Sequence, residues 1–372
     1  MTINRPALLF AAAAAAALIA ASAPAQEPVK IPALPHGAKL AFEENWSSGT
    51  IDPAKWYRLK KQWGAGNHGV VPDNVFLAED EVAGKKQNVL VCRAHGDRYE
   101  GPVKGQWGKP QRVGGVIVSK PFFASGRFEV AMKIGDRDAA PGGPANPAHP
   151  QGTVPAIWTY GYRLVKVAED QSGGFIKEEP LYHPYIQQWG KGLAFYWSEL
   201  DFPEFGKEGA FDKAMFNTFL NKQHDSQMLD VRGAADGGYH TYTTEWRTHL
   251  VPIKGVTDAQ VAESGGFWWV QDKAVDYASY WAQPLKRIGE DDYAVYAGKS
   301  ARHWIDGKYV GENTKFVPAM AAQLNLGIWL PEWAGSRHWV ESKVSFASIK
   351  VWQFNDPGDV RGVLTEDIED NF

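Results

Sequence analysis

Short strand-like segments separated by turn residues constrain the fold of this chain more than any other feature of its sequence. Runs of β-branched and aromatic residues alternate with Gly, Pro and Asn turns, and long stretches with helical periodicity are scarce. This spacing predicts an all-β fold, a sandwich or jelly roll of two antiparallel sheets. The strongest predicted strands are 89–93, 113–119, 126–134, 154–160, 195–205, 215–220, 239–246, 302–305, 323–330 and 344–353.

Three irregular segments lie between these strands. Residues 136–153 are crowded with Pro and Gly, and residues 163–192 separate two predicted strands, so both are predicted to be loops that border a cleft. Residues 251–300 form a longer insertion that is too aromatic for a passive linker. The sequence leaves open whether this insertion shapes a binding groove or covers exposed core.

The ends of the chain differ in composition from its centre. Arg5, an apolar run over residues 8–20 and a small-residue site at residues 23–25 predict a secretory signal peptide in residues 1–25. The product is therefore expected to be secreted, either to the periplasm or to the exterior. Residues 26–39 form a lead-in, residues 40–355 the predicted domain, and residues 356–372 an acidic tail.

Composition excludes several classes of partner. A net charge of -4 and a pI near 6.2 give no reason to expect nucleic acid, and no stretch of the mature chain is apolar for long enough to span a membrane. Cys92 is the only cysteine, so no intramolecular disulfide is possible. Sixteen Trp, with many Tyr and Phe, exceed what a core of this size requires. In a secreted protein such rings often stack on sugar faces, the alternative being that most of them pack in the core. The sequence leaves the oligomeric state open.

Three carboxylates lie close together on one predicted strand, in the sequence ELDFPE of residues 199–204. Residues i and i+2 of a strand share a face, so Glu199 and Asp201 point the same way, whereas strict alternation turns Glu204 to the other side. Pro203 favours a β-bulge, because proline is tolerated within sheets mainly at edges and bulges. The residue that the bulge inserts returns Glu204 to the face of the other two acids.

This arrangement fits a catalytic pair. With the bulge, Glu199 and Glu204 behave like i and i+4, about 13 Å apart at Cα, and inward-leaning side chains bring the carboxyls to the separation of about 5 to 5.5 Å that retaining glycosidases need. Chance places such a pattern in about one chain in fifty of this length. A solvated strand face would carry Lys, Thr or Ser, whereas aromatic residues flank this one. The pattern favours a sugar-cleaving enzyme.

Other motifs do not point to a different chemistry. Residues 64–69 match G-x-G-x-x-G, yet no hydrophobic strand precedes them and Pro72 blocks the helix that a dinucleotide site requires. The ten His are scattered without metal-ligand spacing, and G-x-S-x-G, P-loop and H-E-x-x-H motifs are absent. The sequence therefore predicts catalysis without a metal or other cofactor.

Further segments extend the pattern around the carboxylates. They are residues 114–120, 125–130, 154–158, 239–246, 304–308 and 324–327. Together with 199–204, in this order, they resemble the strands of glycoside hydrolase family 16, with the bulged Glu-x-Asp-x-x-Glu form of its catalytic signature. The similarity extends over roughly residues 40 to 353. The resemblance implies a concanavalin-like jelly roll with substrate in a groove across its concave sheet.

The resemblance also implies roles for individual residues. Glu199 would be the nucleophile, Asp201 would tune and orient the carboxylates, and Glu204 would be the general acid that later acts as base. Negative charge on Glu199 and Asp201 is expected to raise the pKa of Glu204. By its matching position Trp158 is expected to stack on a sugar ring, the alternative being a core tryptophan.

Other residues are placed in or near the groove by the same resemblance. His240 and Asn217 would hydrogen-bond sugar hydroxyls or the nucleophile, or would serve as structural partners. Trp329 and Trp333 follow a late strand and are expected near the groove. Members of the family often bind a structural calcium ion on the convex side, and the resemblance implies the same possibility for this chain without identifying its ligands. The longer segments 163–192 and 251–300 depart from the family pattern, so substrate subsites do not carry over.

The expected function is that of a secreted, retaining endo-β-glycosidase that hydrolyses a β-linked glucan or galactan. The partner is then a polysaccharide or glycan substrate. A non-catalytic glycan-binding protein and a transglycosylase that uses the same residues are the alternatives, because jelly rolls also serve as lectins and a sugar acceptor can replace water.

Overall fold

The computed structural model describes residues 29–62, 65–135, 151–166, 193–220, 223–263, 267–272, 279–290 and 292–362. Nearly all regular structure in this part of the chain is β. The strands are β1 Lys39–Glu44, β2 Trp56–Arg58, β3 Val75–Val82, β4 Lys85–His95, β5 Gly115–Phe123, β6 Gly126–Ile134, β7 Val154–Lys166, β8 Leu193–Glu204, β9 Lys213–Leu220, β10 Gln223–Asp230, β11 Tyr239–Ile253, β12 Phe267–Asp272, β13 Ser279–Arg287, β14 Tyr293–Ile305, β15 Lys308–Asn313, β16 Ala322–Trp329 and β17 Glu341–Gln353. The helix α1 spans Asp258–Glu263, and short 3-10 turns cover Pro72–Asn74, Gln106–Gly108, Lys207–Gly209 and Glu332–Ala334.

The strands form two antiparallel sheets, as the sequence predicts. One of them, the cleft sheet, has the order β2-β5-β16-β7-β8-β9-β10. In the other, the outer sheet, β17 pairs with β1 and β4 on one side and with β6 on the other, and β11, β14 and β15 follow β6. Strand β13 pairs with β14 of the outer sheet and, in parallel, with the start of β8 in the cleft sheet, so it links the two sheets. The architecture is a β-jelly-roll sandwich.

Alternate residues of both sheets meet in a shared core. On β8, Leu200 and Phe202 point inward, and the ring of Phe202 lies 5.4 Å from that of Phe128 on β6. Val130 and Met132 continue the inward face of β6. The residues between these inward positions on β8 face the opposite side of the cleft sheet, because successive strand side chains point to opposite faces. The two-residue period therefore carries Glu199 and Asp201 into the cleft.

All ten predicted strands are present, several with longer bounds. The interpretation of residues 251–300 as an irregular insertion is wrong for much of its length. β11 continues to Ile253 and β14 begins at Tyr293, and the two remain paired over this extension, with α1, β12 and β13 between them. Likewise β7 continues to Lys166 and β8 begins at Leu193. The parts of the predicted loops at 136–150 and 167–192 lie outside the described residues, as does the predicted signal peptide at 1–25.

The two ends of the described chain pack against the sandwich. Near the start, the indole N–H of Trp304 donates to the carbonyl of Val29 at 2.9 Å. Near the end, Val360 is buried and its N–H donates to the hydroxyl of Ser125 at 2.9 Å. Among the described residues no helix has the length and apolar character needed to cross a membrane.

Candidate active site

The predicted bulge is present on β8. Asp201 is paired with Asn217 of β9, and the next pair is Glu204 with Met215, so three steps along β8 match two along β9. The pairing of β8 with β7 shifts at the same place. The peptide bond before Pro203 is cis. The extra residue restores the phase of the strand and brings Glu204 to the face that carries Glu199 and Asp201.

A cleft of about 220 Å³ opens on this face of the cleft sheet. Its floor is apolar, because a cluster of buried residues lies under it, here called the floor cluster: Leu59, Val70, Val116, Val118, Val154, Ala156, Trp158 and Ala334. The side chains that line the cleft are Lys61, Trp158, Tyr160, Trp197, Glu199, Glu204 and Trp329. Two carboxyls therefore share one aromatic cleft, with a third carboxyl, Asp201, buried between them along the strand.

Glu199 is held by aromatic neighbours on three sides. Cross-strand pairing places Tyr160 of β7 and Phe219 of β9 opposite it. Trp197, two residues earlier on the same face of β8, donates its indole N–H to Oε2 of Glu199 at 2.6 Å. The Trp197 ring stacks on Phe219, with centroids 5.2 Å apart and planes 3° apart. Stacking on Phe219 holds the Trp197 indole in place, and the hydrogen bond from its N–H favours the ionised form of Glu199.

Asn217 connects the other two acids. Its Nδ2 donates to Oδ2 of Asp201 at 2.7 Å and lies 3.4 Å from Oε2 of Glu204. Asn217 is buried, so it orients carboxyls from beneath the cleft. Oδ1 of Asp201 is also buried and receives no conventional N–H or O–H donor from the described residues. A protonated Glu199 can donate to Asp201, and this bond is one of the contributions that raise the pKa of Glu199.

The pKa values of all three acids are raised. Burial is the largest cause for each, and it brings the pKa of Asp201 to about 7. The negative charge of Asp201 raises the pKa of Glu199 and Glu204 further. The bonds from Trp197 to Glu199 and from Trp329 to Glu204 oppose these shifts. The sequence predicted a raised pKa for Glu204 alone, because charge repulsion can be read from spacing and burial cannot.

The predicted tryptophans lie at the cleft. Trp158 and Trp329 line it directly. Trp333 packs edge to face against Trp329, with ring centroids 5.9 Å apart, and the ammonium of Lys207 lies 4.9 Å from the Trp333 ring. Trp158 is buried beside the carboxyls, so it belongs both to the floor cluster and to the cleft wall.

His240 lies elsewhere, contrary to the expectation from the sequence. It is on β11 of the outer sheet, where Nδ1 contacts Oδ2 of Asp306 at 2.7 Å and Nε2 contacts Oδ1 of Asp236 at 2.9 Å. Burial disfavours its charged form, but the two carboxylates outweigh this effect and raise the pKa of His240. Its role in the described structure is that of a structural partner, the alternative that the sequence left open.

Sequence reasoning missed four residues near the carboxyls: Tyr160, Trp197, Lys61 and Lys207. Trp197 had a signal, since it stands two residues before Glu199 and must share its face. Lys61 lies in a loop and Lys207 in a turn, and only the fold brings these segments to the cleft. No local sequence pattern identifies either residue as part of the site. Among the described residues no three His, Cys, Asp or Glu side chains gather as metal ligands, so no residue is assigned to calcium.

Comparisons with known proteins give distant structural relatives. No protein-family model and no curated protein matches the chain. It is similar to a β-1,3-1,4-glucanase (lichenase) derived from a mouse hindgut metagenome, at 16% identity over 83% of this chain and 97% of that one, with a TM-score of 0.46. It is also similar to a GH16 protein of the Bacteroides ovatus mixed-linkage glucan PUL, at 12% identity. That alignment covers 83% of this chain and 99% of the other, with a TM-score of 0.46.

Porphyranase B from Zobellia galactanivorans is a further similar structure, at 14% identity over 92% of this chain and 100% of that one, with a TM-score of 0.48. The chain resembles members of glycoside hydrolase family 16. These similarities are remote, so the site assignment rests on the bulge, the cleft and the contacts of the three carboxyls.

Proposed function

We propose that this protein is a secreted, retaining endo-β-glycosidase that hydrolyses a β-linked glucan or galactan, galactose-containing host glycans included. The observation that carries the proposal is the bulge on β8, which turns Glu204 to the face of Glu199 and Asp201 in one aromatic cleft. Aromatic walls offer faces on which sugar rings stack, and paired carboxyls supply the acid, base and nucleophile that glycoside cleavage needs.

In the first step a Glu199 oxygen attacks the anomeric carbon while Glu204 gives its proton to the glycosidic oxygen, which leaves with the departing sugar. The indole N–H of Trp197 supports this division of roles, since a donor at 2.6 Å favours an ionised Glu199. Burial and the charge of Asp201 keep the proton on Glu204 by raising its pKa. The products are a glycosyl ester on Glu199 and a free chain end.

In the second step water attacks the anomeric carbon of the ester. Glu204, now ionised, takes one proton from that water, and the bond to Glu199 breaks and leaves its carboxylate free. Two inversions at the same carbon retain the configuration. Asp201 orients the pair throughout, through its bond from Asn217 and its contact with Glu199.

The test is to measure new reducing ends and product lengths after incubation with laminarin, mixed-linkage glucan, agarose, carrageenan, keratan sulfate and mucin glycans. Glu199→Gln should abolish turnover, because an amide cannot act as the nucleophile, while leaving the unfolding temperature at or above that of the parent. Glu79→Gln, an exposed acid on β3, is the matched control and should keep full activity. Proton NMR of the first product should show the β-anomer before mutarotation.

Other outcomes identify the alternatives. Substantial hydrolysis by Glu199→Gln, or an α-anomer as first product, contradicts the assigned nucleophile. Saturable glycan binding without cleavage across the whole panel indicates a binding protein. Products longer than the starting oligosaccharide indicate transglycosylation, in which a sugar takes the place of water in the second step.

A further inference from the structure

Trp107 is the most exposed of the large hydrophobic side chains among the described residues, at 73%. It lies in the short 3-10 turn Gln106–Gly108 with φ 58° and ψ 22°, which is the left-handed region. Exposure alone is ordinary for an apolar side chain, but a left-handed backbone is rare for a bulky residue. The two together indicate a residue that is retained for a function and not for the stability of the fold.

The support of the Trp107 indole is rigid. The N–H of Gln106 donates to the carbonyl of His68 at 2.8 Å, and a Cβ on Gly105 would lie 2.3 Å from that same carbonyl oxygen, so the close approach of the two segments requires glycine. The His68 ring packs edge to face against Trp107, with ring centroids 6.3 Å apart. Nδ1 of His68 lies 2.8 Å from the carbonyl oxygen of Gln111, which holds the imidazole in place.

Trp107 is supported by a segment that borders the catalytic cleft, residues 65–70, here called the rim loop. His68, its packing partner, belongs to this loop. Val70, at the end of the loop, is buried in the floor cluster and pairs through its backbone with Lys61, which lines the cleft. One wall of the cleft therefore continues through the rim loop to Trp107.

The rim loop also meets the tryptophans of the cleft. Trp329 lines the cleft and packs against Trp333. Glu332, next to Trp333, lies close to the rim loop, since a Cβ on Gly66 would be 2.8 Å from Cβ of Glu332. Contacts from two different parts of the cleft wall thus lead to the same loop, and Trp107 lies just beyond the cleft.

An exposed indole in this position offers a face to a sugar ring. The cleft holds about 220 Å³, less than the roughly 300 to 1,000 Å³ of ordinary ligand pockets, so a polysaccharide that is cut within its chain extends past it. Aromatic rings bury large apolar faces, and a sugar ring has an apolar face that can cover one. Gly108 and Lys109, which follow Trp107, are exposed and form no continuous apolar patch with it, as docking of a protein or a membrane would require.

We propose that Trp107 is an outlying sugar-binding residue, on which a ring of the polysaccharide stacks beyond the cleft, so that the enzyme favours long chains over short ones. The inference rests on the proposed function and adds a binding position to that site. Trp107 binds the chain at a distance from the reacting atoms, so its effect falls on KM more than on kcat.

The experiment measures kcat and KM on each polymer of the panel that the parent cleaves, and on oligosaccharides of increasing length from the same polymer. Trp107→Ala should lower the ratio of kcat/KM on the polymer to kcat/KM on the shortest cleaved oligosaccharide by about threefold to tenfold, mainly through KM, as expected for loss of one aromatic contact. Trp107→Phe should keep more of this ratio than Trp107→Ala. Leu40→Ala, an exposed apolar residue on β1 of the outer sheet, is the control and should keep all of it.

Trp107→Gly separates binding from stability. Glycine adopts the left-handed φ without strain, which offsets the entropy that it adds to the unfolded chain, so the Tm should stay close to that of the parent. The preference for long chains should fall as it does in Trp107→Ala. A Trp107→Gly protein with a lower Tm and equal losses on short and long substrates would show that Trp107 serves the fold, and would overturn the inference.

A preference for long chains that Trp107→Ala leaves as it is in the parent overturns the inference and leaves the proposed function standing. An equal loss of preference in Leu40→Ala overturns it as well. If the parent cuts no polymer, the proposed function fails, and affinity electrophoresis of the parent and Trp107→Ala in gels that contain the same polymers decides. Retardation by a polymer that is weaker for Trp107→Ala supports the inference, and equal or absent retardation overturns it.

Discussion

Asp201→Asn tests how strongly the fold opposes the charge at the centre of the site. Burial raises the pKa of Asp201 from 3.8 to about 7. Between these two pH values the folded protein keeps a proton that the unfolded chain releases, so the stabilising effect is complete below pH 3.8 and is lost as pH rises through 7. At about 1.4 kcal/mol per pKa unit, the loss by pH 8 is about 4 kcal/mol.

Asparagine is neutral at every pH and can still accept the bond that Asn217 donates to Oδ2. The unfolding free energy of the variant relative to the parent should therefore increase by about 4 kcal/mol between pH 4 and pH 8. For a chain of this length that difference corresponds to about 5 °C in Tm, which scanning calorimetry at the two pH values measures. Activity should fall at the same time, because Asp201 no longer raises the pKa of Glu204.

The control for this experiment is Glu79→Gln, since Glu79 is exposed on β3. Its Tm relative to the parent should be the same at pH 4 and pH 8. An Asp201→Asn protein whose Tm difference from the parent does not change with pH would refute the argument that burial holds a proton at this position.

Three further substitutions separate the roles of the surrounding residues. Trp197→Phe replaces the indole with a smaller aromatic ring and removes the donor to Glu199, so the pKa of Glu199 should rise. The acid limb of the kcat/KM profile should then move to higher pH, and activity should fall about tenfold. Trp329→Phe removes the bond that lowers the pKa of Glu204, so the alkaline limb should move to higher pH; a shift of the acid limb alone would contradict this assignment. Leu200→Ala, on the core face of β8, should lower the unfolding free energy by about 2 to 5 kcal/mol in denaturant titrations and leave kcat/KM per folded molecule unchanged.

The sequence predicts the strands that alternate and misses those that do not. β6 and β17 carry a regular inward face of large apolar residues, and both were predicted. β10, with the sequence QHDSQMLD, has no β-branched residue and lies mostly exposed at an edge of the cleft sheet, so its sequence is that of a loop. It forms a strand because its backbone pairs with β9 along its full length. Tertiary pairing determines this element.

The same limit applies to the site. Glu199, Asp201 and Glu204 could be found because one strand and one bulge contain all three, and local rules determine which way they point. Local rules do not determine which sheet a strand joins, and His240 is an example. The resemblance in segment order identifies its strand and led to the expectation that it lies at the groove, but the described structure places that strand in the sheet opposite the cleft. Lys61 shows the converse, since its position in the cleft depends on a pairing with Val70 that no local pattern predicts.

A single strand thus carries both the packing that stabilises the fold and the groups that are costly to bury. Leu200 and Phe202 pack in the core, and without the bulge Glu204 would follow them to that side of the sheet. The bulge places it instead over the floor cluster, where desolvation raises the pKa of every acid. Glu204 needs this environment to keep its proton near neutral pH, and the core on the other side of the same strand offsets the cost of burying the acids. Stability at high pH and catalysis should therefore change in opposite directions when Asp201 loses its charge.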